Sequence, residues 1–347
     1  MHTPLKKGGS LKALITGATG LVGTYLARAL LRRGASVRIL ARTAERAEGL
    51  RQAGASVHVG DLVSPGRLCG ITEGVDTVFH LASAMRGRAA DLQPVDVRGT
   101  EWLLGESQRT GTARFVYAGT LAAYPPGTTP GCSVVDERTP LDDSGLLGEY
   151  ARAKVQCENL IHAATAAGKM QCVIVRLGWV CGIGADLFPP HVCVRLARNW
   201  VALFGDGRIP LPLTLADNAA AALVLAAETP GIGGETFNIV DDEVLTQRDY
   251  LELVKRHNDG RPRVLRLPRA AYYGLALTAE LAGWLRGKPP QTTRYRIRSR
   301  LARVQWDCSK AKGMLHWQPA SGLREGLAPT LRMHSSDESQ GLGRAAH

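Results

Sequence analysis

Two side chains near the middle of the sequence have the types and the spacing needed to move a proton at a carbonyl oxygen. Tyr150 and Lys154 stand four residues apart, so on a helix they lie on one face. A phenol can donate its proton to a ketone oxygen during hydride transfer and can accept it in the reverse reaction. Lys154 and an oxidised nicotinamide would supply positive charge that stabilises the phenolate. The alternative is an exposed Tyr and Lys on an ordinary surface helix.

A glycine-rich segment near the N-terminus predicts the cofactor site. Its three glycines lie between an apolar stretch and an amphipathic one, where glycine permits a tight turn, close approach of a pyrophosphate and close helix packing. The helix that follows offers free amides and a positive dipole end to phosphate. A tight turn that binds no phosphate is the alternative. The predicted cofactor contacts here are Gly17, Thr19, Gly20, Leu21, Val22 and Gly23.

The residue after the second strand favours NADP(H) over NAD(H). NAD sites commonly place a carboxylate on the ribose 2′-hydroxyl there, whereas here Ala41 is followed by Arg42. A guanidinium binds a 2′-phosphate through charge-assisted hydrogen bonds, although a solvated arginine also fits the sequence. Asp61 and Leu62, after the third strand, are expected at the adenine ring. An aspartate that caps its own loop is an equally good interpretation of Asp61.

The elements that must position these residues alternate between strand-like and helix-like segments through the first half of the chain. The first strand ends at Gly17 and its helix ends at Gly34. This alternation predicts an α/β fold with a Rossmann-type, doubly wound parallel sheet. We expect an NADP-binding domain over residues 1–180, a smaller, irregular substrate-binding region over 181–330 that is partly interleaved with the sheet, and a disordered tail over 331–347.

Composition places the chain among globular proteins and narrows its partners only slightly. Its 347 residues are 45% hydrophobic and 21% charged, enough for a sizeable core. The net charge of +12 attracts anions in general, but no recognisable module predicts nucleic-acid binding. Seven cysteines without a C-x-x-C pair predict reduced thiols and no metal site. The N-terminal residues lack the apolar region of a signal peptide, so we expect a cytoplasmic protein.

Thr120 completes the candidate catalytic set, because its hydroxyl follows a strand and could orient the substrate oxygen. Its alternative role is that of a cap or turn residue. With Thr120, the glycine turn and Tyr-x-x-x-Lys, the chain resembles the extended short-chain dehydrogenases/reductases of the NAD-dependent epimerase/dehydratase superfamily, from about residue 11 to residue 328. The resemblance implies that Thr120, Tyr150 and Lys154 form one active site, in which Lys154 also contacts the cofactor. It further implies that the segment around Ala82 lies beside the cofactor.

Later segments resemble the 3β-hydroxysteroid dehydrogenase-like subgroup. Asp217 and Asn218 match its Val-Asp-Asn element, and residues 306–319 match its C-terminal pattern. The resemblance implies oxidation of 3β-hydroxyl or reduction of 3-keto groups on sterols and related lipids, including 4-carboxysterols. Asp96 stands where the family usually has Asn, and Leu177 and Cys181 stand where it usually has Pro and Tyr. These departures put the substrate position, and any proton relay through that Asn, in question.

Residues 270–285 are mostly apolar and are followed by an arginine-rich segment, residues 286–303. A helix over the apolar segment would be about 24 Å long, short of the roughly 30 Å hydrocarbon layer of a membrane. We favour a lid or core helix over the substrate pocket. The alternative is an interfacial helix whose basic successor binds anionic headgroups at a membrane surface.

Together these features predict an NADP(H)-dependent oxidoreductase that interconverts a secondary alcohol and a ketone on a lipophilic small molecule. The expected substrates are a 3β-hydroxy or 3-keto steroid, a sterol, a 4-carboxysterol that then loses its carboxylate, or a triterpenoid. One alternative is a nucleotide-sugar epimerase or reductase. Another is an NADP-sensing protein without catalysis, against which the presence of both Tyr150 and Lys154 argues. A homodimer and peripheral contact with an anionic membrane are further expectations.

Overall fold

The computed structural model describes residues 10–84, 89–125, 133–142, 144, 146–168, 170–197, 199–286 and 293–339. Cys132 and the segment from residue 287 to 292 lie outside the described residues. The strands are β1 (Lys12–Thr16), β2 (Ser36–Ala41), β3 (Ser56–Val59), β4 (Thr77–His80), β5 (Arg114–Thr120), β6 (Ser133–Val135), β7 (Gln171–Leu177), β8 (Trp179–Cys181), β9 (Val194–Ala197), β10 (Trp200–Phe204), β11 (Pro210–Leu211), β12 (Leu213–Leu215), β13 (Thr236–Ile239), β14 (Leu245–Thr246), β15 (Arg263–Leu267) and β16 (Val304–Trp306).

The α-helices are α1 (Leu21–Arg32), α2 (Ala44–Gln52), α3 (Ala89–Leu92), α4 (Gly99–Arg109), α5 (Glu149–Ala166), α6 (Ala216–Glu228), α7 (Gln247–His257), α8 (Arg269–Arg286), α9 (Arg294–Leu301), α10 (Ser309–Leu315) and α11 (Leu323–Ser339). A π-helical turn, Gln93–Arg98, joins α3 to α4. Short 3₁₀ turns lie at Pro65–Arg67 and Leu121–Ala123.

A seven-stranded parallel sheet forms the centre of the fold, in the order β13-β7-β5-β4-β1-β2-β3. The order reverses direction between β1 and β4, which makes the sheet doubly wound and confirms the predicted Rossmann-type fold. In parallel strands the carboxyl ends share one edge. Thr16, Ala41, His80 and Thr120 are the last residues of their strands, so all four lie along that edge, where open α/β sheets bind their ligands.

The local sequence accounts for these elements. All four residues of β4 are buried, as expected for a strand covered on both faces. Leu26 and Leu30 of α1 are fully buried against the sheet. Gly34 has a φ of +77°, the left-handed conformation that commonly ends a helix and that glycine adopts without strain. The helix therefore stops where the sequence predicts.

The second half of the chain contributes to the sheet as well as forming its own region. Strand β13 extends the sheet by pairing with β7, and the buried face of α6 packs in the same core as α1. Part of the rest builds a smaller unit around the three-stranded sheet β15-β10-β9, whereas α10 packs in the core of the main sheet and β16 pairs with β6. Helices α8 and α9 share an apolar cluster with that sheet.

The predicted tail begins later than residue 331. Leu323, Leu327 and Leu331 are buried in one apolar cluster, because their spacing of four residues continues the inner face of α11. The helix extends to Ser339, so residues 331–339 are helical. Residues 340–347 lie outside the described residues.

Candidate active site

The glycine turn between β1 and α1 leaves room that side chains would fill. Gly17 has a φ of +73°, and a Cβ there would lie 2.6 Å from the backbone nitrogen of Ala82. A Cβ on Gly23 would overlap the carbonyl oxygen of Gly17 and lie 2.7 Å from Cα of Ala18. At Gly20, the exposed cap of α1, a Cβ would be 3.3 Å from the Gly17 oxygen. Gly17 and Gly23 therefore shape the turn, whereas Gly20 is exposed at the N-terminus of α1.

The first amides of α1 complete this cradle. The cap of the helix makes no side-chain hydrogen bond, and the first N–H groups of any α-helix lack an intrahelical acceptor. Leu21 and Val22 are half-buried in this first turn, and Thr19 is exposed beside it. The turn thus fits an anionic group at the N-terminus of α1.

The other predicted cofactor contacts lie along the same edge. Arg42 is exposed immediately after β2. Ala82 donates its backbone N–H to Oγ1 of Thr16 over 3.4 Å, beside Gly17. Asp61 accepts the N–H of Val63 at 3.0 Å, which is the loop-capping role. The Leu62 side chain is buried in the core, so an adenine contact of Asp61 and Leu62 stays a prediction.

Helix α5 brings Lys154 beneath Tyr150. The Lys154 ammonium is buried, donates to the carbonyl oxygen of Ala118 at 3.3 Å, and lies 5.9 Å from the centre of the Tyr150 ring. It also lies 4.7 Å from the centre of the Tyr117 ring. Tyr150 itself is half-buried. The i,i+4 pair therefore occupies one face of a helix, as predicted, and that face meets the end of β5.

Thr120 closes β5 on the same edge, two residues beyond Ala118. Its Oγ1 accepts the backbone N–H of Ala122 at 3.2 Å and so caps the short turn that follows. A hydroxyl that accepts one bond still carries a hydrogen to donate. The structure thus shows the capping role, and a contact with substrate oxygen stays a prediction.

Asp96 is a neighbour of Lys154 that the sequence marked only as a departure from the family pattern. It lies in the π-helical turn, its side chain is almost fully buried, and its Oδ2 accepts the N–H of Ala84 at 2.8 Å. Its Oδ1 lies 3.9 Å from Nζ of Lys154. No sequence signal places these two charges together, because the contact depends on how the π-helical turn packs on α5.

A buried hydrogen-bond chain connects the glycine turn to Asp96. His80 lies 2.6 Å from Oγ1 of Thr16 through Nδ1 and 2.9 Å from Oγ1 of Thr100 through Nε2. Because the Thr100 hydroxyl donates to the carbonyl oxygen of Asp96, Nε2 carries the His80 hydrogen. Burial, and then the charge of Lys154, lowers the pKa of His80 to about 3. The imidazole is therefore neutral and serves as a structural link.

Sequence inspection also missed the ion pair that holds α5 against the sheet. Arg176 of β7 and Glu158 of α5 are both buried, with Nη2 and Oε2 2.7 Å apart. The Tyr124 hydroxyl donates to Asn238 at 2.9 Å and accepts from Arg176. Glu158 follows Tyr150 by eight residues, on the same side of the helix, which is the signal that could have identified it.

Helix α9 connects the active site to the second region. The guanidinium of Arg296 occupies the position that a Cβ of Gly148, the residue before α5, would take. One turn later, Arg300 donates to the Tyr272 hydroxyl at 2.8 Å. Arg300 also lines a small cleft of about 10 Å³; the other residues of its wall are Pro190, Val192, Cys193, Val194, Phe204, Gln247, Tyr272 and Leu301.

The two segments that resemble the steroid dehydrogenase subgroup meet in the core. The indole N–H of the buried Trp317 donates to the carbonyl oxygen of Asn218 at 3.1 Å. The Asn218 side chain donates to Asp241 and accepts the N–H of Ala320. These contacts join α6 to the segment after α10, so in this chain both motifs stabilise the fold.

Comparison with known proteins gives consistent matches. Residues 13–240 match the NAD dependent epimerase/dehydratase family. The 4-hydroxy-2-methyl-3-oxo-4-farnesyl-3,4-dihydroquinoline-1-oxide ketoreductase of Stigmatella aurantiaca is 31% identical over 249 residues, 70% of this chain and 72% of that protein. A 2-alkyl-3-oxoalkanoate reductase of Stenotrophomonas maltophilia is 28% identical over 91% of this chain and 97% of its own.

Two further matches extend the comparison. The decarboxylating sterol-4-alpha-carboxylate 3-dehydrogenase of Schizosaccharomyces pombe is 25% identical over 80% of this chain and 83% of its own. Among solved structures, MoeE5 in complex with UDP-glucose and NAD superposes with a TM-score of 0.71 over 96% of this chain and 100% of that chain, at 22% identity. At that identity the likeness shows the fold alone.

Proposed function

The chain belongs to the NAD dependent epimerase/dehydratase family and is an NAD(P)-dependent oxidoreductase, and we propose that it uses NADP(H) to interconvert a secondary alcohol and a ketone on a lipophilic substrate. The observation that carries the proposal is the buried Lys154 ammonium, 5.9 Å from the Tyr150 ring at the sheet edge that holds the glycine turn. The bound nicotinamide would supply or accept the hydride. Tyr150 would give its proton to the ketone oxygen in reduction and take it back in oxidation.

Replacing the Tyr150 hydroxyl tests this role. Tyr150→Phe should lower kcat/KM by at least about 100-fold, because the general acid is lost while the ring remains. NADPH loss or formation would be followed with hydroxysteroids, ketosteroids, carboxysterols, alkyl oxoalkanoates and nucleotide sugars. Tyr273→Phe removes a hydroxyl from the exposed face of α8 and is the matched control. Undiminished turnover by Tyr150→Phe would overturn the acid/base assignment.

The preference for NADP(H) is supported by Arg42, exposed directly after β2. Its guanidinium would pair with a 2′-phosphate, so Arg42→Ala should lower kcat/KM for NADPH by about 10- to 100-fold, the range for one charge-assisted hydrogen bond. The value for NADH should barely change. Arg46→Ala, one turn into α2 and also exposed, controls for loss of surface charge. Equal efficiency of the unmodified enzyme with NADPH and NADH would remove the inference.

The names of similar proteins support a lipophilic substrate. Three relatives have names that include a farnesyl quinoline, an alkyl oxoalkanoate and a sterol carboxylate. Our first candidates are a 3β-hydroxy or 3-keto steroid, a sterol or a triterpenoid. If a carboxylate lies beta to the new ketone, as in a 4-carboxysterol, it would leave as carbon dioxide without a further catalytic group.

Peripheral contact with an anionic membrane is supported by the outer face of α8. Tyr272 and Ala276 are buried, whereas Leu281 and Trp284 are 54% and 81% exposed. No helix in the described part of the chain is long and apolar enough to cross a membrane. An apolar helix face on a protein with a net charge of +12 suits the surface of anionic lipid.

Vesicle flotation at low salt tests this contact. The protein should float with phosphatidylserine-containing vesicles, and the double variant Leu281→Ser with Trp284→Ser should stay in solution. Val244→Ser, at a position 63% exposed elsewhere on the surface, should float like the unmodified protein. Failure of the unmodified protein to float would dismiss the contact.

The second candidate function is a nucleotide-sugar epimerase or reductase, which the family match favours. A reductase would consume NADPH with a nucleotide sugar from the panel. An epimerase would return the hydride to the sugar without net loss of NADPH, so it is detected by the interconversion of the sugar epimers. A homodimer remains a prediction for light scattering of the purified protein to test.

A further inference from the structure

The negative charge nearest to Lys154 among the described residues is the carboxylate of Asp96, which the proposed acid/base chemistry of Tyr150 does not use. Asp96 and Lys154 expose only 1% and 4% of their side chains, with Oδ1 and Nζ 3.9 Å apart. That separation is too long for a hydrogen bond, and Oδ1 has no hydrogen-bond partner among the described residues. The pair therefore interacts through charge, in surroundings that screen charge poorly.

The other titratable groups of this buried cluster are neutral near pH 7. Burial raises the pKa of Tyr117 well above its usual value, and the neighbouring Cys157 thiol adds to the rise. Burial also raises the pKa of Cys157. His80 is neutral because burial and Lys154 lower its pKa. Beneath the Tyr150 ring, Asp96 and Lys154 are thus the charged groups of the described cluster.

A second pair of charges lies at the start of α5. Glu149 precedes Tyr150 and is exposed, and the Arg296 guanidinium approaches it from α9. Glu149 lies in solvent, where water screens its charge, whereas Arg296 is half-buried against Gly148. Asp96 is therefore the buried negative charge of the described cluster, opposite the positive charges of Lys154 and Arg296.

We propose that Asp96 is a positioning residue that holds Lys154 toward the π-helical turn and whose negative charge opposes ionisation of Tyr150. At neutral pH Tyr150 is then protonated and ready to donate its proton. The enzyme is therefore poised for reduction. In that direction NADPH, held at the glycine turn, would supply the hydride that forms the new C–H bond at the carbonyl carbon. The carbonyl oxygen takes the Tyr150 proton and becomes the alcohol. Solvent then returns a proton to Tyr150. The inference rests on the proposed acid/base role of Tyr150.

Asp96→Asn removes the charge and keeps the shape, since the Asn oxygen can still accept the N–H of Ala84. The pH profiles of kcat/KM for reduction and for oxidation should both move to lower pH. Oxidation near pH 7 should rise accordingly. Asp76→Asn is the matched control. It loses the same charge and also accepts a backbone N–H, from Lys12 at 2.9 Å, but it lies at the opposite end of the sheet.

A second measurement does not depend on turnover. The absorbance of tyrosinate at 295 nm is followed against pH without cofactor, and subtracting the curve of the corresponding Tyr150→Phe variant isolates Tyr150. The midpoint of the isolated absorbance curve should lie at lower pH in Asp96→Asn than in the unmodified protein. If Asp96→Asn does not fold, Asp96→Ser, whose hydroxyl can also accept the Ala84 N–H, takes its place.

The outcomes separate the two proposals. Unshifted profiles and an unshifted midpoint in a folded Asp96 variant would overturn the role of Asp96 and leave the function of Tyr150 intact. Full activity of Tyr150→Phe would instead remove the proposed function, while the absorbance titration would still decide whether Asp96 opposes ionisation of the phenol. A shift of the same size in Asp76→Asn would reduce the effect to net charge and also refute the inference.

Discussion

Adding one methyl group, at Gly23 or at Gly20, should distinguish a glycine that shapes the turn from one that lies beside the expected pyrophosphate. In Gly23→Ala the new Cβ would overlap the Gly17 carbonyl oxygen and lie 2.7 Å from Cα of Ala18. Both neighbours are backbone, so the turn must move to relieve the contact. Overpacking of this kind costs about 1–3 kcal/mol or more. We expect Gly23→Ala to lower the free energy of unfolding by about 3 kcal/mol.

Gly20→Ala is the comparison, because the same methyl group meets much less. Its Cβ would lie 3.3 Å from the Gly17 oxygen, and the residue has an ordinary φ of −83°. Ala is a poorer cap than Gly, so we expect a loss of about 1 kcal/mol or less. The methyl group would, however, lie beside the expected pyrophosphate. The Kd for NADPH should therefore rise at least about tenfold with little change in stability.

Urea unfolding without cofactor measures the first effect, and titration of NADPH by fluorescence measures the second. Gly23→Ala should fail in both assays, since a displaced turn also displaces the amides of α1. Gly20→Ala should fail only in NADPH binding. The reasoning is refuted if Gly23→Ala unfolds at the same urea concentration as the unmodified protein, or if both variants bind NADPH normally.

Three further predictions probe the fold and the site. Burial raises the pKa of Asp241 from 3.8 to about 6, so ionisation of this carboxyl lowers the stability of the fold as pH rises from about 4 to about 6. In Asp241→Asn the free energy of unfolding in urea should no longer fall with pH over that range. At pH 7.5 the variant should be more stable by at most about 3 kcal/mol. Glu158→Gln leaves the buried Arg176 without its carboxylate and should lower the free energy of unfolding by about 3–5 kcal/mol. The control is Glu228→Gln, which breaks an exposed ion pair and should lower it by less than about 1 kcal/mol in the same assay. If the Thr120 hydroxyl contacts the substrate oxygen, Thr120→Ala should lower kcat by about 10- to 100-fold, and Thr120→Ser should lower it much less. Equal rates for the two variants would leave Thr120 only its capping role.

The first half of the chain was predictable because local rules decide it. An apolar strand followed by glycine and an amphipathic helix commonly folds in one arrangement. The ends of β2 and α1 in the structure therefore agree with those predicted from the sequence. Tyr150 and Lys154 share a helix face for the same reason. The cofactor edge needed no knowledge of distant contacts, since the carboxyl ends of parallel strands meet without further information.

The second half resisted prediction because residues far apart in sequence determine it. The arginine-rich segment contains no acid, which predicts a solvated or anion-binding face. In the fold, Arg294 pairs with Glu280 and Arg303 pairs with Asp206, while Arg296 packs against Gly148. Each partner comes from another element, so charge counting along the segment overstates how much of it is available to a ligand.

The same limit explains why Asp96 could be noticed in the sequence but not interpreted there. A change from Asn to Asp at one position removes an amide and adds a charge, and its consequence depends entirely on what lies within a few ångströms. The π-helical turn brings the Asp96 carboxylate close to Lys154. Because His80 and Cys157 are neutral, these two neighbours do not compensate the charge of Asp96. A departure from a family motif therefore has a different meaning in a solvated loop than in a buried cluster beside Lys154. Here it places a carboxylate 3.9 Å from Nζ of Lys154, and the proposed role of Asp96 depends on that contact.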